Sequence, residues 1–263
     1  MHLEVLATGS PAPGHALTGF LLDGTLAIDA GPLGTFGTLA QQAAIEHVLL
    51  THAHIDHVAG LPILLDTVYR QRSSPPVVHA TKPTLEILQQ DLFNDRLMPD
   101  FIGLSNLMSP FLQLKEIEPN RPFRIGQWSI TALPVDHTIP TVAYLIDDQT
   151  SAVAIVTDTA PIPNILQPLA RWPRLKAVFL ECSFPSRLHD LAMVSKHLTT
   201  NTFAEMVRYL PTTLPVYAIH IKPRFYEEIA VELAELKLPN VHIADAGFIW
   251  RAGSLSARTL PAR

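Results

Sequence analysis

The sequence predicts an α/β fold, an order of elements that two β-sheets packed together with helices outside would accommodate. Short apolar runs alternate with helical segments through both halves of the chain, Gly and Pro punctuate it throughout, and residues able to do chemistry recur where the apolar runs end. No low-complexity linker divides the halves and no short repeat period is present, which argues against a solenoid and for one domain over 1–263.

Leu3 to Ala7 and Thr18 to Leu22 read as short strands around a Gly/Pro/Ser loop, and Thr25 to Ile28 runs apolar into Asp29, a strand ending in a carboxylate. Leu33 to Ala44 is compatible with a helix, and Ile45 to Leu50 is a β-branched and leucine-rich strand run. A histidine cluster begins directly after it, at His52, which puts the cluster at a strand's C-terminal end. Gly60 to Arg70 is apolar enough for a buried helix, Val77 to His79 reads as a strand, and Lys82 to Leu92 has helical spacing with Pro83 in the tolerated first turn. Phe93 to Phe101 has no clean period and reads as a loop or cap. From Phe123 the pattern returns to strands, at Trp128 to Ala132, Thr141 to Ile146 and Ala152 to Thr157, followed by alternating helix and strand from Ile165 to Ile219. The second half repeats the strand-then-helix logic of the first.

The 263 residues are nearly half apolar and only 16% charged, as in compact α/β proteins. A formal charge of −5 with scattered basic residues offers no electrostatic footprint for gripping a nucleic-acid polymer, so a small substrate is expected. Cys182 is alone, cannot form an internal disulfide, and reads as a buried thiol in a reduced compartment. The first residues lack a basic n-region and a long apolar h-region, and no stretch reaches membrane-span length, so the expected location is cytoplasmic with no membrane partner.

His52-Ala53-His54-Ile55-Asp56-His57 places four candidate metal ligands in six residues. Imidazole nitrogens and carboxylate oxygens suit Zn²⁺, Mn²⁺ or Fe²⁺, and residues two apart in an extended turn can converge on one ion while the next pair addresses another. Asp136-His137, Asp158 and His220 each follow an apolar run. Singly, each would more often cap a helix or satisfy a hydrogen bond. With the first cluster they make up two sites.

In composition and order along the chain, His52 to His57 with the later His137, Asp158 and His220 resembles the metallo-β-lactamase superfamily, which implies an αββα sandwich of two mixed sheets with helices outside. That resemblance implies one metal held by His52, His54 and His137, a second by Asp56, His57 and His220, and Asp158 bridging them. Asp29 matches the superfamily's carboxylate at an early strand end, where it orients the motif loop. Within the superfamily, Thr51 to Leu65 (THAHIDHVAGLPILL), Leu92 to Phe101 (LFNDRLMPDF), Pro134 to Pro140 (PVDHTIP), Glu181 to Leu188 (ECSFPSRL), Ser195 to Thr199 (SKHLT) and His220 to Arg224 (HIKPR) are similar to the class II cyclic-nucleotide phosphodiesterases. Two positions depart from that pattern. Asp136 stands where Asn is expected, adding negative charge beside the metals, and Lys196 stands where Gly is expected before the histidine.

The resemblance implies hydrolysis of 3′,5′-cyclic nucleotides, cyclic AMP first, to the 5′-monophosphate by a metal-bridging hydroxide, with two divalent ions, zinc foremost and manganese or iron as alternatives. His197 is the expected general acid for the departing sugar oxygen, Glu181 is expected to orient His197 or another site histidine, and Asp56 is the third residue of the catalytic group. Asn94, Asp95 and Arg96 are expected to form part of the nucleotide pocket or a cap, Arg96 by pairing with the phosphate, with a plain surface-loop role as the equal alternative. The expected partner is the nucleotide, with a homodimer as a further possibility. His2, His15, His47, His79, His189 and His242 read as structural or surface residues. The rival readings are an RNA-processing nuclease of the same fold, a thioester or lactam hydrolase, and a binding protein that kept the fold. The acidic balance opposes the first, the Ser195 to Thr199 motif the second, and the full ligand set the third.

Overall fold

In the computed structural model, residues 1–8, 16–71, 73–107 and 109–253 are described. Most of the expected Gly/Pro/Ser loop, including His15, lies outside the described residues, as do residues 254–263 of the expected domain. The first sheet takes β1 (His2–Thr8), β2 (Thr18–Leu22), β3 (Leu26–Ile28), β4 (His47–Leu49), β5 (Val77–Ala80) and β6 (Gln113–Glu116). The second takes β7 (Phe123–Ile125), β8 (Trp128–Val135), β9 (Thr141–Asp147), β10 (Ala152–Val156), β11 (Leu175–Glu181), β12 (Val216–Ile219) and β13 (Val241–Ile243), and β14 (Ile249–Arg251) returns to the first beside β1.

Each sheet is half antiparallel and half parallel. In the first, β14, β1, β2 and β3 pair antiparallel and β3 to β6 pair parallel. In the second, β7 to β10 pair antiparallel and β10 to β13 pair parallel. The parallel strands need crossovers, and helices supply them. On the first sheet these are α1 (Leu39–Ala43), α2 (Ile55–Val58), α3 (Leu61–Val68), α4 (Lys82–Ile87) and α5 (Phe101–Leu107); on the second, α6 (Pro163–Ala170), α7 (His189–Ser195), α8 (Thr200–Val207) and α9 (Tyr226–Glu235).

The strand pattern explains the layering. In β10, Val153 and Ile155 join the core between the sheets, while Ala152, Ala154 and Val156 face the helices, so both faces of the strand are apolar. The inter-sheet core packs Leu3, Phe20 and Ile28 of one sheet against Ile130, Tyr144 and Phe179 of the other. Outside, Leu61, Leu64 and Leu65 of α3 cover the first sheet, and Phe203, Met206 and Ile229 of α8 and α9 cover the second. The result is the αββα sandwich. Each large apolar side chain fully removed from water contributes about 1.5–3 kcal/mol.

Two contacts crossing the layers fix where the histidine loop begins. The Tyr144 hydroxyl donates to the Leu50 carbonyl at 2.7 Å, and the Val142 N–H donates to the Thr51 carbonyl at 3.1 Å.

Two expected helices are shorter than their periodicity predicts. Residues 33–38 are not helical, because Gly34 and Gly37 adopt φ of +84° and +54° and Thr38 caps the helix with a reciprocal Thr38–Gln41 box, leaving only α1. The helix expected to Leu92 is α4 followed by a π-helical turn over Leu88–Leu92. Cys182 is fully buried, as expected. No helix among the described residues is long and apolar enough to cross a membrane.

Candidate metal centre and its acid–histidine partner

Six strand ends deliver the cluster. β3 ends at Asp29, β4 at Thr51 and His52, β8 at Asp136 and His137, β10 at Asp158, β11 at Glu181 and Ser183, and β12 at His220. Parallel strands in a sheet share one C-terminal edge, so residues far apart in sequence meet there. Asp29 and His220 hold left-handed backbone, with φ of 58° and 54°, an uncommon conformation for residues other than glycine that turns each side chain off its strand toward the cluster. Close approach also requires Gly31, where a Cβ would collide with the Asp56 carbonyl.

The ligand atoms fall into two groups. In the first, His54 Nδ1 lies 3.0 Å from His52 Nε2 and 3.2 Å from His137 Nε2, and Asp158 Oδ2 lies 3.6 Å from both Nε2 atoms. In the second, His220 Nε2 lies 3.3 Å from His57 Nε2 and 3.3 Å from Asp56 Oδ2, and Asp158 Oδ1 lies 3.3 Å from His57 Nε2 and 3.1 Å from His220 Nε2. Asp158 turns one oxygen to each group.

Hydrogen bonds behind the rings decide which nitrogen faces inward. His57 Nδ1 donates to Asp29 Oδ2 at 2.7 Å, and His137 Nδ1 donates to the Lys196 carbonyl at 3.1 Å. Thr51 Oγ1 donates to the Asp29 carboxylate at 2.9–3.0 Å, so it must accept from His52 Nδ1, 2.9 Å away. Ser183 Oγ donates to Glu181 Oε2 at 2.6 Å and therefore accepts from His220 Nδ1 at 3.1 Å. All four rings thus commit their Nδ1 proton outward, and Nε2 is the nitrogen turned inward. Such an arrangement brings lone pairs and carboxylate oxygens within about 3–4 Å, and Asp158 Oδ1 is fully buried with no hydrogen bond. A nitrogen and oxygen donor set with unshared lone pairs fits divalent cations, and Asp29, Thr51, Ser183 and the Lys196 carbonyl form the outer contacts that orient the rings.

The electrostatics follow. Burial, reinforced by repulsion from His57, holds His52 well below the usual histidine value, and burial lowers His54 and His137. Burial opposes charge on His57 too, but Asp158 and Asp29 overcome it and raise that ring well above the usual range. Burial would raise Asp158, yet His220 and His57 hold it well below the carboxylate range, and Asp56 is lowered by its hydrogen bond to His220 against the same opposition.

His197 lies between the end of α7 and the start of α8 and is only 7% exposed. Its ring centroid lies 5.0 Å from that of His137 and 5.6 Å from that of His220, beside both groups. Nδ1 donates to Glu181 Oε1 at 2.9 Å. The same buried carboxylate accepts the Thr159 N–H at 2.6 Å, the Leu198 N–H at 3.1 Å and the Ser183 hydroxyl. Burial disfavours the His197 cation, but Glu181 outweighs it and raises the ring; reciprocally, His197 lowers Glu181.

The two departures from the phosphodiesterase pattern meet. Lys196 Nζ donates to Asp136 Oδ1 at 2.6 Å, so the extra negative charge expected beside the metals is neutralised within the loop rim. Lys196 also ends α7 in left-handed backbone at φ 55°, the conformation for which glycine is the usual residue.

Asn94 and Arg96 are not brought to the cluster by any hydrogen bond or ion pair. Asn94 Oδ1 accepts the N–H groups of Arg96 and Leu97 at 3.1 Å, and Nδ2 donates to the Gln90 carbonyl at 2.9 Å, so both ends of this amide hold the turn together. These bonds give Asn94 a loop-building role. Sequence reading missed Thr51, Ser183 and Lys222, each one or two residues from a candidate ligand or acid, where that adjacency was the available signal. Lys222 Nζ lies 3.9 Å from Asp56 Oδ2.

Residues 25–221 match the family described as the beta-lactamase superfamily domain. The chain is a metallo-β-lactamase superfamily member. Superfamily relatives include a probable 3′,5′-cyclic-nucleotide phosphodiesterase of Yersinia pestis, 25% identical over 75% of this chain and 63% of that protein. A 3′,5′-cyclic-nucleotide phosphodiesterase of Aliivibrio fischeri is 26% identical over 66% of this chain and 55% of that one. The chain thus spans less than two thirds of the length of these relatives. A ribonuclease Z of Clostridium kluyveri is 31% identical over 40% of this chain and 32% of that protein. Among superfamily structures, unliganded yeast PDE1 superposes with a TM-score of 0.77 at 17% identity, covering 94% of this chain and 98% of that one. The metallo-β-lactamase fold protein YhfI of Bacillus subtilis gives 0.74 at 19% identity, covering 95% and 98%.

Proposed function

We propose that the protein hydrolyses 3′,5′-cyclic nucleotides, cyclic AMP foremost, to the 5′-monophosphate. The observation that carries this reading is His197, buried beside both ligand groups and held by Glu181, because the sugar oxygen of a cyclic nucleotide is a poor leaving group that needs a proton. His52, His54 and His137 would hold one divalent ion and Asp56, His57 and His220 a second, with Asp158 touching both. Zinc suits this set best, with manganese or iron as alternatives. When bound, such ions supply charge neutralisation at the phosphoryl group and lower the pKa of water.

The chain's own residues do the rest. Glu181 accepts the Nδ1 proton and favours the His197 cation, so the proton available for transfer sits on Nε2 of the imidazolium. As water adds to phosphorus and the bond to the 3′-oxygen breaks, that proton passes to the departing oxygen, leaving a free 3′-hydroxyl and a 5′-monophosphate. Proton delivery of this kind contributes roughly 10²–10⁴-fold.

The alternative with specific support is an RNA-processing nuclease, since ribonuclease Z proteins are among the relatives. The phosphodiesterase likeness extends over 75% of the chain against 40%, and a formal charge of −5 opposes binding a structured polymer. Purified protein reconstituted with Zn²⁺ and with Mn²⁺ should turn over cyclic AMP or cyclic GMP, with metal content measured alongside. Cleavage of precursor tRNA without turnover of either cyclic nucleotide would replace this reading with the nuclease.

A further inference from the structure

A phosphodiester is anionic, so a cation beside the ligand groups can grip a phosphoryl oxygen that the metal ions leave free. Lys196 is committed to Asp136 at 2.6 Å, and Arg187 is paired with Glu228 at 2.7 Å. Among the described residues, Lys222 is the lysine or arginine that forms an ion pair with a proposed ligand residue, and the pairing is loose: Nζ stands 3.9 Å from Asp56 Oδ2, makes no hydrogen bond, and the side chain is 34% exposed.

Its backbone, by contrast, is pinned. The Lys222 N–H donates to the Ser183 carbonyl at 3.3 Å, its carbonyl accepts the Phe225 N–H at 2.8 Å, and Pro223 follows. Ser183 in turn contacts Glu181, His197 and His220. Lys222 is therefore anchored to the same carboxylate and histidine frame that holds His197, and its ammonium is near enough to His197 to oppose positive charge there. A fixed base with a long, loosely held ammonium beside Asp56 is the arrangement of an anion-gripping lysine.

Resting on the phosphodiesterase reading, we propose that Lys222 is the side chain that binds a non-reacting phosphoryl oxygen of the substrate, the part the sequence assigned to Arg96. A charge-assisted hydrogen bond of this kind corresponds to roughly a tenfold change in affinity or more.

The test uses the metal-loaded full chain and the variants Lys222→Met, Lys222→Gln and Lys222→Arg. Calorimetric titration with inorganic phosphate should give an affinity about tenfold weaker for the Met and Gln variants and a smaller loss for Arg. KM for cyclic AMP should rise in parallel, while metal content and Tm stay at wild-type values. Unchanged phosphate affinity in soluble, metal-replete Met or Gln variants overturns the proposal, as does loss of metal, which would mean that Lys222 acts by holding Asp56. If the wild type hydrolyses no cyclic nucleotide the functional reading falls, but the phosphate titration still decides whether Lys222 grips phosphate.

Discussion

His197 Nδ1 donates to Glu181 Oε1 at 2.9 Å, and the same carboxylate oxygen accepts the N–H of Thr159, the residue after Asp158, at 2.6 Å. Through its other oxygen and Ser183, Glu181 also reaches His220 Nδ1. One buried carboxylate thus positions the proposed acid, the residue following the proposed bridge, and one ring of the second group. His197 and the metal centre are set by the same part, which ties proton delivery to the place where the phosphoryl group would sit.

Replacing His197 with Ala should lower kcat for cyclic AMP by roughly 10²-fold or more while metal content stays unchanged. Bis(p-nitrophenyl) phosphate, whose leaving group departs without a proton, should lose much less. Equal losses on the two substrates would assign His197 to positioning rather than to proton transfer.

Asp158→Ala should be more damaging than loss of any single histidine, because both carboxylate oxygens are engaged and their removal leaves two cations to repel each other at short range. Metal analysis after reconstitution is the check, and two ions per chain in this variant would contradict the bridging role. Chelation of the wild type should abolish hydrolysis and lower Tm, with recovery that depends on the concentration of added metal.

Lys196 gives a stability prediction independent of catalysis. Lys196→Gly and Lys196→Ala both remove the pair with Asp136, but only glycine occupies φ 55° without a Cβ penalty. The Gly variant should be more stable than the Ala variant by about 1 kcal/mol, or roughly 2–4 °C in Tm. Thermal melts of the two showing the reverse order would refute the strain argument. The exposed ion pair itself should contribute no more than about 1 kcal/mol.

Asp147, at the end of β9, accepts from Trp172 Nε1 at 2.7 Å and from Arg174 Nε and Nη2 at 2.9 and 2.8 Å. Burial opposes its charge, but the Arg174 and Trp172 hydrogen bonds win and lower it from the ordinary value of 3.8. A depressed carboxylate stabilises the fold fully above the unfolded-state value and loses that contribution as pH falls through the folded-state value. Asp147→Asn should therefore lower Tm by an amount that is constant above about pH 5 and shrinks below about pH 4. A difference that grows on acidification would invert the assignment.

Much of the architecture was legible in the apolar runs. The strands readable from sequence are largely interior ones such as β4, β10, β11 and β12, whose two covered faces demand continuous apolar residues. The strands that escaped reading, β6 with Gln113 to Glu116, β13 and β14, are all at sheet edges, where exposure removes the apolar signature. α5 was hidden for a related reason: it follows a loop built on Asn94 and Asp95, whose hydrogen bonds have no period.

By itself, the sequence determined which residues can act at the centre, because ligands must be particular side chains and each stands where an apolar strand run stops. His52 to His57, His137, Asp158 and His220 could be named from those positions alone. Only the tertiary structure decided how they are arranged and what supports them. Asp136 and Lys196 are 60 residues apart and looked like two separate departures, yet the end of α7 sets one against the other. Ser183 and Lys222 became visible only once β11 and β12 lay side by side, and the Asn94 amide proved to be committed to its own turn. The physical reason is that ligand identity is a local chemical requirement, whereas ring orientation, charge neutralisation and the place of a cation depend on contacts between strand ends that only sheet packing creates.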